Sequence, residues 1–94
     1  MELNKTKFQI EIINRIRDLR IKNKVSQTKL ADYLNIGSGQ IGNIESPKFK
    51  HKYTLKQLYL ISEMFNVTFD YLLTGEECSL STKLLIKYLV SYDE

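Results

Sequence analysis

The chain has 94 residues, 43% hydrophobic and 27% charged, which suffices for one small domain with a single core and is too short for two. That composition excludes an intrinsically disordered chain, and no apolar run approaches the ~18–20 residues of a membrane span. The formal net charge is only +3, but residues 1–53 hold eleven of the fourteen Lys and Arg and five of the eleven acidic residues. Such a half suits a polyanionic partner, although a solvated surface reads the same. The opening MELNKTKFQI has lysines but no apolar h-region or small-residue cleavage site, so no signal peptide is expected and the protein is expected to be cytoplasmic. A lone Cys78 makes no intramolecular disulfide, and with the single His51 it offers no zinc spacing. As a nucleophile and base the two lack an orienting third group, and we read them as a loop cysteine and an exposed histidine. No phosphate loop or metal constellation is visible, so neither an enzyme nor a cofactor is expected.

Residues 1–9 read as an N-terminal arm, an ordinary flexible tail in which Lys5 and Lys7 are possible extra contacts to a polyanion. Helical spacing is plentiful thereafter and alternating patterns are scarce, which predicts an all-α chain. The first helix begins between Lys7 and Ile10 and runs to about Asn23, with Ile12, Ile16 and Leu19 on one stripe and Ile13 beside it. Arg15, Arg17 and Lys22 mark wetter faces. Ser26 is a good N-cap for a second helix that carries Leu30, Ala31 and Leu34 inward. Asn35 closes it, since Asn is the best non-glycine residue for the left-handed position. The third helix runs from about Ser38 to Glu45 or Ser46, with Ile41 and Ile44 inward, and Pro47 stops it.

The segment SPKFKHKY is a basic loop with Lys48, Lys50, His51 and Lys52. Thr54 and Gln57 form a capping box for a fourth helix whose stripe is Leu55, Leu58, Ile61, Met64 and Phe65. Asn66 ends it, Thr68 opens a short fifth helix, and Thr74-Gly75 closes that. A polar linker, GEECS, leads to a sixth helix from about Ser81 to Tyr92. The second and third helices, joined by the turn Asn35–Gly37, have the proportions of a helix-turn-helix over about residues 26–45. Ala31 supplies the small residue where they cross, and Ile36 plugs the turn into the core.

VSQTKLADYLNIGSGQIGNIE resembles the helix-turn-helix of the lambda-repressor-like family of phage repressors, Cro proteins and Xre-type regulators. The shared features are Ser26-Gln27, Leu30-Ala31, Leu34, Ile36 at the turn and the Ile41-x-x-Ile44-Glu45 close, with NVTFDYLLTG at 66–75 resembling the fifth-helix signature. The resemblance implies a compact five-helix DNA-binding bundle over residues 10–75, followed by a C-terminal helix. There are two departures: Asn35 stands where the family usually has glycine, and SPKF follows Glu45 where it often has glycine. The resemblance also implies that Glu45 pairs with Arg20 and ties the third helix to the first, which assigns both residues to architecture.

A helix entering the major groove needs an outward face free of core residues. With Ile41 and Ile44 inward, Ser38, Gly39, Gly42 and Asn43 remain. The resemblance implies base contacts from Ser38, Gly39 and Asn43, with Asn43 the best direct reader because an amide bonds adenine bidentately. It implies phosphate contacts from Gln27 and from the loop lysines Lys48, Lys50 and Lys52. Gln40, one position around from the base face, is a further phosphate candidate.

In the final segment, residues 76–94, Leu84, Tyr88 and Tyr92 share one i,i+4 line and Leu85 and Leu89 the next, while Lys83, Lys87 and Ser91 form the polar face. So wide an apolar surface exceeds what one packing partner needs. A two-fold homodimer through Leu84, Leu85, Tyr88, Leu89 and Tyr92 is therefore expected, with two recognition helices ~34 Å apart on a palindromic site; the alternative is a monomer in which this helix only caps the core. The function expected is a small repressor acting on double-stranded DNA. The alternative is a protein-binding module, such as an antitoxin partnered by a toxin, that keeps the fold with weak DNA readout.

Overall fold

The computed structural model describes residues 5–76 together with Lys87 and residues 90–92. Five helices follow in order: α1 (Lys7–Lys22), α2 (Gln27–Leu34), α3 (Ser38–Glu45), α4 (Leu55–Phe65) and α5 (Phe69–Thr74). No strand occurs among the described residues. The expected all-α bundle is thus observed.

Local chemistry sets the boundaries. Ser26, Thr54 and Thr68 sit in extended conformation and accept hydrogen bonds from the backbone N–H of Lys29, Gln57 and Tyr71. Thr54 and Gln57 complete a capping box, and Thr6 and Gln9 form a second one that starts α1. That box removes Lys7–Gln9 from the expected flexible arm and makes them the first turn of a helix.

Three helices close in one way. Lys24, Asn35 and Asn66 have φ of 56°, 59° and 54°. The next N–H in each case, on Val25, Ile36 and Val67, bonds back to the carbonyls of Arg20, Ala31 and Ser62 at 2.9–3.0 Å. The left-handed residue turns the chain so that the following aliphatic side chain folds back onto its helix. Val25 is buried and Ile36 and Val67 pack against the core. Asparagine suits such a position and lysine does not, so the first of these closures was not apparent from the residue type.

The core is Ile12, Ile13 and Ile16 of α1, Leu30, Ala31 and Leu34 of α2, Ile41 and Ile44 of α3, Leu58 and Ile61 of α4, and Leu72 and Leu73 of α5. α2 and α3 share the most extensive contact, with Ala31 buried within it. Leu19, Leu55, Met64 and Phe65, expected inward, are partly buried at the core edge.

Two tyrosines join the core. Tyr53, the last residue of the basic segment, is fully buried and anchors the loop. Tyr92 is 1% exposed, and its carbonyl accepts hydrogen bonds from Gln9 Nε2 and from Lys52 Nζ at 3.2 Å. Tyr92 therefore packs inside its own chain and leaves the set expected at a dimer interface. The other four members of that set, Leu84, Leu85, Tyr88 and Leu89, lie outside the described residues, as does Cys78.

Two cations also differ from expectation. Lys5, read as part of a tail, is buried and donates to the carbonyls of Ile44 at 2.6 Å and Ser46 at 2.8 Å. Burial holds its ammonium below the ordinary lysine pKa. Arg15, read as solvent-facing, donates to the Leu72 carbonyl at 2.6 Å and lies over Gly75. Gly75 has φ of 84°, and a Cβ there would meet the guanidinium at 3.2 Å. Positive charge at helix C-termini is favourable because it opposes the helix dipole and satisfies terminal carbonyls.

The Tyr53 hydroxyl is buried with no hydrogen-bond partner among the described residues. Burial, reinforced by the nearby Glu45 carboxylate and opposed by Arg20, raises its pKa above 10.0. The native protein thus keeps a proton that the unfolded chain releases above that pH. This contribution to stability is complete at lower pH and is lost as the pH rises through the folded-state pKa. We expect Tyr53→Phe to be as stable as the wild type or more so at neutral pH, by up to about 1 kcal/mol. It should also lose less stability between pH 9 and 11, as read by urea denaturation at each pH.

Candidate nucleic-acid interface

The Glu45 carboxylate organises the helix-turn-helix. Arg20 grips it bidentately, Nε to Oε2 at 2.8 Å and Nη2 to Oε1 at 2.9 Å. Gln27 Nε2 donates to Oε1 at 3.0 Å, and Arg17 Nε stands 3.9 Å away. The third donor of Arg20, Nη1, bonds the Val25 carbonyl at 3.0 Å. The side chains of Arg20 and Glu45 are only 11% and 6% exposed, so the pair lies largely out of water. The carboxylate thus ties α3 to α1 through Arg20 and to α2 through Gln27.

These bonds fix the last turn of α3 against α1 and α2, and Lys5 closes the same end. The first turn differs. Gly37, the N-cap at φ −73° and ψ 145°, makes no side-chain cap bond, whereas a Ser or Thr side chain caps each of the other four helices. Ser38, Gly39 and Gln40 are exposed there. A Cβ at Gly39 would meet nothing within 4 Å. Asn43 lies one turn further on and is half-buried.

Gly42 lies closer to α2 than Gly39 does. It is partly buried, and a Cβ there would lie 3.7 Å from Gln27 Oε1. It sits beneath the Gln27 side chain where α2 meets α3. Gln27 is correspondingly engaged, with its amide nitrogen donating to Glu45.

Beyond α3, Pro47–Phe49 form a turn, and the Ser46 hydroxyl accepts a bond from the Lys48 N–H at 3.2 Å. Lys48, Phe49, Lys50 and His51 are exposed. Lys52 is drawn inward: besides its bond to the Tyr92 carbonyl, its ammonium lies 5.3 Å from the Tyr92 ring centroid. Of the candidate phosphate contacts, Gln40, Lys48 and Lys50 are thus open to solvent, while Gln27 and Lys52 are engaged within the protein. Between Glu45 and Glu63 the chain has four lysines and no acidic residue, which makes this segment uniformly positive at neutral pH.

Among the residues that shape the site, sequence reasoning missed Lys5 and Tyr53. The only signal for Lys5 was its place directly before the Thr6–Gln9 capping box. That box fixes where α1 begins and hence where the preceding side chain is aimed. Nothing in the pattern KHKY distinguishes Tyr53 from the exposed residues before it.

A family model described as a helix-turn-helix domain matches residues 13–77. No curated protein and no solved structure matches the chain. The match covers all five helices except the first two turns of α1.

Glu45→Gln keeps the side-chain shape but leaves the Arg20 guanidinium without its counter-charge. We expect it to cost about 3 kcal/mol in chemical denaturation, and Gln27→Ala to cost no more than about 1 kcal/mol. Gly39→Ala should instead gain about 0.5–1 kcal/mol, because the added methyl meets open space and the unfolded chain loses freedom.

Proposed function

The chain belongs to the DNA-binding helix-turn-helix family of lambda-repressor-like type, and from that premise we propose that it is a small sequence-specific repressor that binds a palindromic operator as a homodimer. The observation that carries this reading is the juxtaposition of an uncapped, exposed first turn of α3 with a lysine loop free of acidic residues. A helix N-terminus and its free amides attract phosphate, and exposed lysines add the sequence-independent part of DNA affinity.

In this reading α3 lies in the major groove. Ser38, Gly39 and Asn43 face the bases, and Gln40, Lys48 and Lys50 hold the phosphates. The commitment of Gln27 to Glu45 makes it chiefly a brace for α3, and its phosphate contact would be made with whatever donor remains. Lys52 likewise serves the loop before it serves DNA. Gly39 has no reading group, so direct readout rests on Asn43 and Ser38. Operator selectivity then leans on DNA shape and on the spacing of two half-sites. The second subunit is supplied by the apolar C-terminal segment, with Tyr92 kept for the intramolecular core.

Selecting duplexes from a random pool with the full chain tests the reading. Binding should be lost steeply as salt is raised, and the recovered sites should be two-fold symmetric. Asn43→Ala should lose ~1–3 kcal/mol of preference at one base position of each half-site. Lys50→Ala should weaken all duplexes about equally and reduce the salt slope by about one per subunit. Absence of any binding at low salt, with the wild type folded, would sink the proposal.

A further inference from the structure

The loop after α3 contains more than lysines. Phe49 stands between Lys48 and Lys50 and is 46% exposed. Its ring lies edge-on to His51, with centroids 6.0 Å apart and planes at 69°. Exposing nearly half of a phenyl ring is unfavourable in water, and Phe49 is outside the core that anchors the rest of this region. Meanwhile the loop is held at both ends. Lys5 grips the carbonyls of Ile44 and Ser46, the Ser46 hydroxyl fixes the turn, and Tyr53 is buried. Phe49 is therefore presented by a braced turn rather than by a loose strand.

We propose that Phe49, backed by His51, is an apolar contact to the deoxyribose backbone of duplex DNA, seated between the phosphates held by Lys48 and Lys50. This rests on the DNA-binding reading above and adds a chemistry to it. A nucleic-acid strand alternates charged phosphates with sugars whose ring faces are apolar. The exposed loop carries the same two chemistries, with Phe49 and His51 interleaved with Lys48 and Lys50. The absence of acidic residues from Ser46 to Ser62 makes a polyanion the complementary occupant. The loop also follows directly on α3: Phe49 is six residues beyond Asn43, at most ~20 Å along the chain.

An apolar contact and an ionic contact differ in how they respond to salt. Neutralising a phosphate releases a counterion, whereas covering a sugar does not. The test measures binding of wild type, Phe49→Ala and Lys50→Ala to the duplex that the wild type selects, across a series of salt concentrations. Phe49→Ala should bind about five- to tenfold more weakly at every salt concentration, for the loss of a half-exposed ring, with the logarithmic salt slope unchanged. Lys50→Ala should lower the slope by about 0.9 per subunit. Thermal melts of the variants check that the exposed positions leave the fold intact, and the comparison is made between folded proteins.

If the wild type binds no duplex, the DNA reading fails and this contact with it. If the wild type binds and Phe49→Ala binds equally well, the contact is overturned while the DNA reading stands. A change of slope in Phe49→Ala matching that of Lys50→Ala also overturns it, since the ring would then act only by arranging charge. So does a change in oligomeric state, read by sedimentation, with DNA affinity unaltered: the ring would then belong to a protein interface.

Discussion

The helix-turn-helix depends on one carboxylate. Glu45 accepts two hydrogen bonds from Arg20 and one from Gln27, so α1, α2 and the end of α3 meet at a single charged group. A pair so far out of water gives little net stability compared with apolar side chains in the same volume. Its geometry is what matters. A guanidinium fork and a carboxylate fit in one plane and one register, and that register fixes the rotation of α3 about its own axis. With Ile41 and Ile44 buried on one side and Glu45 held on another, the orientation of the exposed first turn is determined.

The same helix is treated differently at its two ends. The C-terminal carbonyls of Ile44 and Ser46 are satisfied by buried Lys5, while the N-terminal turn has no side-chain cap. Arg15 does for the end of α5 what Lys5 does for α3. Positive side chains from α1 and the residues before it thus close helices that come later in the chain. A sizeable share of the basic character of the N-terminal half is architectural. The net charge of that half overstates what remains for a polyanion, and the exposed lysines of the loop after α3 matter more than the total suggests.

The elements were legible because their signals are local. Ser26, Thr54 and Thr68 cap the helices they precede, and Asn35 and Asn66 adopt the left-handed conformation that ends them. Each such choice is made by a residue and its immediate neighbours through hydrogen bonds spanning three to five positions. The Arg20–Glu45 tie was legible only through a family resemblance, since the two residues are 25 positions apart. Gly42, expected on the outward side of α3, is partly covered. With only eight residues the helix has few apolar positions to define its faces, and the Gln27 side chain covers part of the glycine.

By itself, the chain of residues determined an all-α bundle, its helix boundaries and its helix-turn-helix, because capping, left-handed closures and 3.6-residue periodicity act over a few residues. Tertiary structure alone decided which polar side chains are free. Gln27, Lys52, Lys5 and Arg15 look like solvent-facing groups in the sequence, yet each is engaged by a partner distant along the chain. Gln40, Lys48 and Lys50 look no different and remain exposed. What separates the two sets is the position of a carboxylate or an unsatisfied carbonyl brought near by folding. A buried acceptor left without a partner costs about 1–3 kcal/mol, and a donor that can reach it from a neighbouring element satisfies it.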